Sequence, residues 1–142
     1  MFRNLIYALV AVFFCSGIAA AQNVVQITGQ GTGECPTGGQ SKLVTGVATL
    51  ETTGRPVLLT ATFEIHANPT GGITVTPLID GVGVEGGGSR FVGEASGQID
   101  MVSLTHLYSL DKGSHTFAVQ ATCQSQVIVA SSTLIVYELP KH

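Results

Sequence analysis

The sequence predicts an all-β protein built as an antiparallel β-sandwich. Apolar and polar residues alternate with a period of two in several segments, which is typical of half-buried strands. No window of eleven or more residues after the first 21 keeps apolar positions at the helical spacing of i, i+3, i+4 and i+7. Clusters of Gly, Pro, Asn, Asp and Ser separate the alternating segments, and such clusters favour turns.

Residues 1–21 have the features of a secretory signal peptide. Arg3 supplies a positive charge, an apolar run follows, and small residues lead up to Ala21, after which we expect cleavage. A membrane anchor is the alternative, but the apolar run is short for a membrane span. We therefore predict a secreted or periplasmic protein with no membrane span after signal removal. The mature chain has about 120 residues, enough for one domain.

Residues 22–40 are rich in glycine and are predicted to form a loop-like lead-in. A single sandwich domain is predicted over residues 41–142. Its expected strands lie at 43–52, 56–66, 73–80, 89–99, 101–110, 114–123 and 127–139. Seven or eight strands without a helix in a chain of this length indicate a sandwich.

The first two predicted strands, 43–52 and 56–66, are separated by the turn sequence TTGRP at 52–56. The second strand has the clearer alternation. One face carries the apolar side chains Val57, Leu59, Ala61, Phe63 and Ile65. The other face carries Thr60, Thr62, Glu64 and His66. We expect the apolar face to lie in the core.

The next two strands, 73–80 and 89–99, are preceded by the glycine-rich turns NPTGG at 68–72 and DGVGVEGGG at 80–88. In the strand at 73–80, one face carries Ile73, Val75, Pro77 and Ile79. Thr74, Thr76, Leu78 and Asp80 lie on the other face.

The last three strands are separated by DKG at 111–113 and QSQ at 124–126. For the strand at 101–110, the predicted core side is Val102, Leu104, His106, Tyr108 and Leu110. For the strand at 114–123, it is Phe117, Val119, Ala121 and Cys123. The closing strand at 127–139 is rich in small and β-branched residues, which favour strands.

The mature chain has few charges, and their sign and distribution exclude two classes of partner. Five basic residues stand against nine acidic ones, a net charge of −4 after signal removal, and no cluster of Lys or Arg occurs. Binding to nucleic acids or to anionic membranes therefore lacks its electrostatic driving force. Charged residues make up 11% of the sequence. This is low for a monomer's surface and is a weak indication of self-association.

Two cysteines remain after signal removal, Cys35 and Cys123. An even number of cysteines in an oxidising compartment predicts a disulfide between them. Such a bond would close a loop of about ninety residues and would contribute about 4–5 kcal/mol in the chain-entropy model. Two free thiols, or a bridge between subunits, are the alternatives.

The loop after residue 79 is the candidate binding loop. Gly81, Gly83 and Gly86 match the dinucleotide-binding pattern G-x-G-x-x-G, but GGSRFVG follows, where that pattern requires a helix. A hairpin loop is the better interpretation. Loops on a rigid sandwich often carry recognition. The candidate binding residues are Asp80, Gly81, Gly83, Glu85, Gly86, Ser89 and Arg90.

Ser114, His115 and Asp111 invite comparison with a catalytic triad. A triad needs residues from separate segments that converge on one imidazole, whereas neighbours on a strand point to opposite faces. No G-x-S-x-G sequence is present. We predict no catalytic residues here and no enzymatic activity.

No metal site or cofactor is predicted either. Glu64 and His66 share a strand face, but no H-x-H or H-E-x-x-H spacing occurs, and neither mature cysteine has a C-x₂-C partner. His106 and His115 are isolated histidines on predicted strands. Acidic residues beside the glycine-rich loops lack the spacing of a calcium-binding loop.

The second half of the chain resembles the jelly-roll domains of the tumour necrosis factor and complement globular-head group. The resemblance rests on GQIDMVSLTHLYSLDKGSHTFAVQA at 97–121 and ASSTLIVYEL at 130–139. The positions that match are Ile99, Leu104, Leu110, Gly113, Phe117, Val119, Leu134 and Tyr137. The resemblance implies a jelly roll, with an immunoglobulin-like sandwich as the alternative. It also implies a non-catalytic binding module that is often trimeric.

We therefore expect a secreted binding or assembly module, with a homo-trimer as one possible assembly, whose ligand is an unidentified protein or glycan. A carbohydrate-binding module is one alternative. It would need a row of exposed aromatic side chains, but the sequence has no Trp, and the mature chain contributes Tyr108 and Tyr137 as its tyrosines. A secreted hydrolase is the other alternative, and no converging acid–base pair supports it.

Overall fold

The computed structural model describes residues 23–35, 38, 40–67, 71–92, 99–124 and 127–140. The signal-peptide prediction for residues 1–21 lies outside this part of the chain. The described residues form ten strands. They are β1 (Val24–Cys35), β2 (Ser41–Leu43), β3 (Ala48–Thr53), β4 (Val57–Ala67), β5 (Gly71–Ile79), β6 (Val82–Gly83), β7 (Gly88–Val92), β8 (Ile99–Tyr108), β9 (Lys112–Cys123) and β10 (Val127–Glu138).

The strands form two antiparallel sheets packed as a sandwich, which confirms the predicted fold class. Sheet I has the order β1-β10-β4-β8. Sheet II has the order β2-β9-β5-β6, with β3 also paired to β9 and β7 to β5. The chain crosses repeatedly between the sheets, as in a jelly roll. In an immunoglobulin sandwich the first strand pairs with the second, whereas here β1 pairs with the last strand, β10.

The core lies between the two sheets and comes from the faces that the alternation predicts. Phe63 of β4 and Phe117 of β9 are fully buried and belong to opposite sheets. The other predicted apolar positions of β4 are fully buried as well: Val57, Leu59, Ala61 and Ile65. Burial of such side chains is the main favourable contribution to folding, about 1.5–3 kcal/mol for each large apolar side chain.

Residues 22–40 do not form the loose lead-in that the glycine content indicated, because Val24–Cys35 is strand β1. Val25 and Ile27 pack against the core. A register shift between Gln30 and Gly33 accommodates the glycine-rich part, and Gly33 has a φ of 76°. Pairing with β10 supplies the backbone hydrogen bonds, so tertiary context outweighs weak strand propensity.

The predicted strand at 43–52 is two shorter strands, β2 and β3, which both pair with β9. Thr45 explains the interruption. Its hydroxyl oxygen accepts a hydrogen bond from the Val119 N–H at 2.9 Å, while the Val44 N–H donates to the Val119 carbonyl at 2.8 Å. The buried backbone of β9 therefore stays satisfied while the neighbouring chain bulges outward.

A disulfide and an ion pair join the sheets in addition to the apolar core. The predicted disulfide is present between Cys35 at the end of β1 and Cys123 at the end of β9, with a sequence separation of 88. It joins sheet I to sheet II. The second contact is an ion pair between Arg55, in the β3–β4 connection, and Glu138 of β10. The connection that leads from sheet II to sheet I is thereby fixed to the last strand of sheet I.

Candidate functional site

The candidate binding loop begins with a two-residue hairpin turn. Ile79 and Val82 are the paired residues on either side, and Asp80 and Gly81 between them have φ values of 52° and 78°. Two consecutive positive φ values define a type I′ turn, for which Asp-Gly is a preferred sequence. The chain then continues into strands β6 and β7, where a dinucleotide-binding pattern would open a helix.

The Asp80 side chain is engaged within the fold. Its Oδ1 accepts a hydrogen bond from the Thr116 N–H at 2.8 Å, and its Oδ2 lies 2.8 Å from Nδ1 of His115. The Thr116 N–H is the chief reason that the pKa of Asp80 is lowered, and His115 adds to it. Asp80 therefore fixes the hairpin turn to β9.

His115 lies between two hydrogen-bond acceptors. One is the carboxylate of Asp80 and the other is the backbone carbonyl of Asp111, 3.1 Å from Nε2. A neutral imidazole has one N–H and satisfies one acceptor, whereas the imidazolium donates to both. The hydrogen bond to Asp80 is the main cause of the raised pKa of His115.

This geometry is not that of a Ser-His-Asp triad. Asp111 meets the imidazole through its backbone carbonyl, and the carboxylate partner of the imidazole is Asp80. Both ring nitrogens face these acceptors, so neither faces the Ser114 hydroxyl. Ser114 precedes His115 on β9 and points to the opposite side of the sheet.

The later part of the candidate binding loop packs on sheet I. The Tyr108 hydroxyl donates a hydrogen bond to the Glu85 carbonyl at 2.7 Å, and burial raises the pKa of Tyr108 to about 12. Gly86 has a φ of 104° and lies directly against His106, where a Cβ atom would clash with the imidazole. The base of the loop is therefore held, while Gly81, Gly83 and the Glu85 side chain face solvent.

Ser89 and Arg90, the last residues of the candidate binding loop, belong to strand β7. They pair with Thr74 and Ile73 of β5. They therefore continue sheet II, whereas Asp80–Gly81 is a turn. The structure brings the candidate binding residues together as one hairpin region along β5.

The histidines that sequence analysis considered for a metal site do not converge. His66 lies on the outer side of β4, His106 packs against the Tyr108 ring at a centroid distance of 4.7 Å, and His115 pairs with Asp80 in sheet II. In the ranges that the structure describes, no group of three or more His, Cys, Asp or Glu side chains could hold a metal ion.

Sheet I also presents an outer face that sequence analysis did not single out. We call the following outward side chains the sheet I face. They are Val24, Gln26 and Thr28 of β1, Ile128, Ser131, Thr133, Ile135 and Tyr137 of β10, Leu58, Thr60, Thr62, Glu64 and His66 of β4, and Ile99, Met101, Ser103, Thr105 and Leu107 of β8.

The sheet I face has few charges and carries most of the exposed large hydrophobic side chains. Five of the eight large hydrophobic side chains exposed in the described residues lie on it. They are Val24 at 50% exposure, Ile99 at 59%, Met101 at 56%, Leu107 at 50% and Ile128 at 40%. Near neutral pH, its ionisable side chains are Glu64 and His66, and Glu34 of β1 lies at its margin. A broad surface with so few charges and this many exposed hydrophobic side chains indicates an interaction surface.

Some of the apolar side chains form one continuous row across the sheet. Val24, Tyr137, Leu58 and Leu107 lie side by side across all four strands of sheet I. Tyr137 is thus part of this surface, and Tyr108 is buried. These two tyrosines do not form the exposed aromatic row that a carbohydrate-binding module would need.

The sequence contained a partial signal for the sheet I face. The non-core positions of β4, β8 and β10 are mostly Thr, Ser, Leu and Ile rather than Lys and Glu. Low charge indicated self-association but not which surface is involved. Strand order supplies that information, because β1, β10, β4 and β8 are distant in sequence and adjacent in space.

Sheet II carries a smaller apolar feature on its outer side. An open pocket of about 170 Å³ is lined by Leu43, Val47, Leu78 and Ala118, with Thr116 at its polar margin. Its size and lining are suited to one apolar side chain of a partner.

No protein-family model matches the sequence, and no curated protein matches it at a significant level. Several solved structures have a similar fold. The globular domain of zebrafish complement 1qA protein aligns with a TM-score of 0.53 and 9% identity, over 85% of this chain and 99% of that domain. At a sequence identity this low, the structural similarity shows a shared fold alone.

Two further structures align in the same way. A chain from the structure of infectious bursal disease virus, Gx strain, aligns with a TM-score of 0.53 and 10% identity. The alignment covers 86% of this chain and 32% of the viral chain. Eiger TNF from S. frugiperda has a TM-score of 0.49 and 11% identity over 84% of this chain and 95% of that one. The alignment with the complement domain confirms the predicted jelly-roll resemblance at the level of fold.

The described residues include no helix with the length and apolar character required to cross a membrane.

Proposed function

We propose that this protein is a secreted, non-catalytic module that self-associates through the sheet I face and presents the candidate binding loop to a ligand. A homo-trimer is the assembly that the jelly-roll resemblance implies. The sheet I face is the observation that carries this proposal, because it is a broad surface with few charges and five exposed large hydrophobic side chains.

The area of the sheet I face supports this use. Four strands at about 4.8 Å spacing, each about ten residues long at about 3.4 Å per residue, give roughly 650 Å². A partner contributes about 800 Å² to an interface of standard size. The sheet I face therefore approaches the area that a stable interface needs.

Charge supports a second copy of the chain as the occupant. The mature protein has a net charge of −4, so two copies repel each other unless they meet on surfaces of low charge. Outward positions of β10, β4 and β8 carry no Lys or Arg and a single carboxylate, that of Glu64. Two copies of such a surface can pack together without repulsion between like charges. A strongly charged partner would find few complementary charges on it.

Secretion is supported by two independent features. The signal-peptide pattern of residues 1–21 predicts export, and a disulfide between Cys35 and Cys123 is typical of an oxidising compartment. We place the mature module outside the cytoplasm, in a secreted or periplasmic location.

The candidate binding loop supports ligand presentation. Its base is fixed by Asp80 and Tyr108, while the Glu85 side chain and Val82 are exposed. A loop with a rigid base loses less entropy on binding than a mobile one. The ligand that we propose is a protein or a glycan.

Analytical ultracentrifugation of the mature protein tests the assembly. We expect a trimer for the wild type and a monomer for Thr62→Lys, which places a charge in the middle of the sheet I face. Thr49→Lys is the matched control, because Thr49 is exposed on a strand of sheet II, and it should remain trimeric. A monomeric wild type at all concentrations would refute the proposal, and so would a trimeric, folded Thr62→Lys.

A further inference from the structure

Glu64 is the carboxylate that lies among the outward side chains of β10, β4 and β8, and its contacts favour its ionised form. Oε1 of Glu64 lies 3.0 Å from Nε2 of His66, and the Ser131 hydroxyl donates to Oε2 at 3.3 Å. The hydrogen bond with His66 is the main cause of the lowered pKa of Glu64. Both side chains are 36% exposed, so they are accessible to an approaching copy.

The groups packed around this pair are almost all uncharged. On β8, Met101 lies opposite Glu64 and Ile99 opposite His66. On β10, Ser131 and Ile128 occupy the corresponding positions. Beyond Ile128, at the margin of the face, β1 places Glu34 in the same row as His66.

The groups around the pair determine which charge can neutralise the Glu64 carboxylate. Glu34 is acidic, and the outward positions of β10, β4 and β8 provide no Lys or Arg. Among the described residues of these three strands, the positive charge available beside Glu64 is therefore the protonated imidazole of His66.

Self-association changes the energy of the pair. Removing an ionised carboxylate from water without a compensating charge is unfavourable. In a symmetric assembly the same face of each copy is used, so several Glu64 carboxylates would also approach one another. A proton on each His66 converts the pair from a net negative charge to a neutral ion pair, and it removes the repulsion between copies.

We propose that assembly through the sheet I face takes up protons at the Glu64–His66 pairs, so that acidification strengthens the oligomer and alkaline pH weakens it. This inference rests on the proposed function, since it assigns the regulation of the same surface. The test covers the range between about pH 5 and 8, in which histidine side chains in general change charge.

Sedimentation equilibrium in EDTA, between pH 5.5 and 8.5, tests the inference without interference from metal ions. For the wild type we expect the association constant to fall at least tenfold from pH 6 to pH 8. His66→Gln should associate weakly throughout this range, because Glu64 then has no cationic partner.

Glu64→Gln should reverse the direction in which the association constant changes with pH. A purely structural role of Glu64 would not produce this reversal. With a neutral amide at position 64, a proton on His66 becomes an unpaired buried charge. This variant should therefore associate more tightly at pH 8 than at pH 6. His115→Gln is the control for the histidine of sheet II, and it should keep the wild-type profile. Thermal unfolding of each variant verifies that it is folded.

The outcomes separate the two proposals. A wild-type oligomer whose association constant is unchanged between pH 6 and 8 would overturn the proton-linked assembly and leave self-association intact. Proton-linked assembly at Glu64–His66 is also overturned if His115→Gln, rather than His66→Gln, abolishes the pH dependence. A wild type that stays monomeric at every pH would refute the proposed function itself.

Discussion

Arg55 and Glu138 form an ion pair in which the carboxylate is fully buried and the guanidinium nitrogen lies 2.7 Å from Oε2. Oε1 of Glu138 accepts hydrogen bonds from the Thr53 N–H, the Thr53 hydroxyl and the Arg55 N–H. Burial alone would raise the pKa of Glu138, but these bonds outweigh it and lower the pKa to about 2. The ionised carboxylate of Glu138 thus fixes the β3–β4 connection, which leads from sheet II to sheet I, to strand β10.

We expect Glu138→Gln to lower the free energy of unfolding at pH 7 by about 2–4 kcal/mol, because it leaves buried donors and Arg55 without a carboxylate. The pKa of Glu138 is lower in the folded protein than in the unfolded chain. Its contribution is therefore complete above about pH 4.5 and decreases as the pH falls towards 2. Urea unfolding at several pH values measures this.

The matched control for Glu138→Gln is Glu51→Gln, at an exposed position of β3. It should change the stability by less than about 0.5 kcal/mol. Equal effects of the two substitutions, or an effect of Glu138→Gln that grows as the pH falls below 4, would contradict the role of the ion pair.

The disulfide should contribute strongly, because it joins residues 88 positions apart. Replacing both Cys35 and Cys123 with Ala should lower the free energy of unfolding by about 4 kcal/mol in the chain-entropy model. Denaturant unfolding of the wild type with and without reductant checks this. A mass spectrum of the unreduced peptides that shows two free thiols would contradict the bond itself.

His115 and Asp80 should stabilise the hairpin turn in a pH-dependent way. The pKa of His115 is raised in the folded state by its hydrogen bond to Asp80. Its stabilising effect is therefore complete below the unfolded pKa of about 6.5 and is lost as the pH rises through the folded value. NMR titration of the imidazole measures the folded pKa directly.

Asp80→Asn is the informative variant for this pair, because Asn also favours the positive φ of a type I′ turn. It keeps the turn and removes the negative charge. The pKa of His115 should decrease in this variant. An unchanged titration would show that Asp80 does not control His115.

Gly86→Ala should be more disruptive than Gly88→Ala. Gly86 has a φ of 104°, and an added Cβ would clash with His106. We expect Gly86→Ala to lower the free energy of unfolding by about 2 kcal/mol or more. Gly88→Ala is the control, since nothing lies within 4 Å of its added Cβ, and it should cost less than about 1 kcal/mol. Thermal unfolding compares the two variants, and similar losses would contradict the contact with His106.

Local sequence patterns predicted most strands because a period of two is a property of neighbouring residues. The alternation in β4 and β9 placed Phe63 and Phe117 in the core correctly. It failed for β1, where glycines mask the pattern and pairing with β10 supplies the missing stability. The disulfide was also predictable, since two cysteines in an oxidising compartment leave few possibilities.

The sequence by itself determined the all-β class, the core faces and the low charge, and it predicted the disulfide with two alternatives left open. Tertiary structure decided the strand order, and with it every relationship between residues distant in the chain. His115 therefore pairs with Asp80, which is 35 residues away, rather than with Ser114. The sheet I face arises in the same way. Hydrogen bonding between strands places separate rows of side chains side by side, and local periodicity does not encode which strands are neighbours.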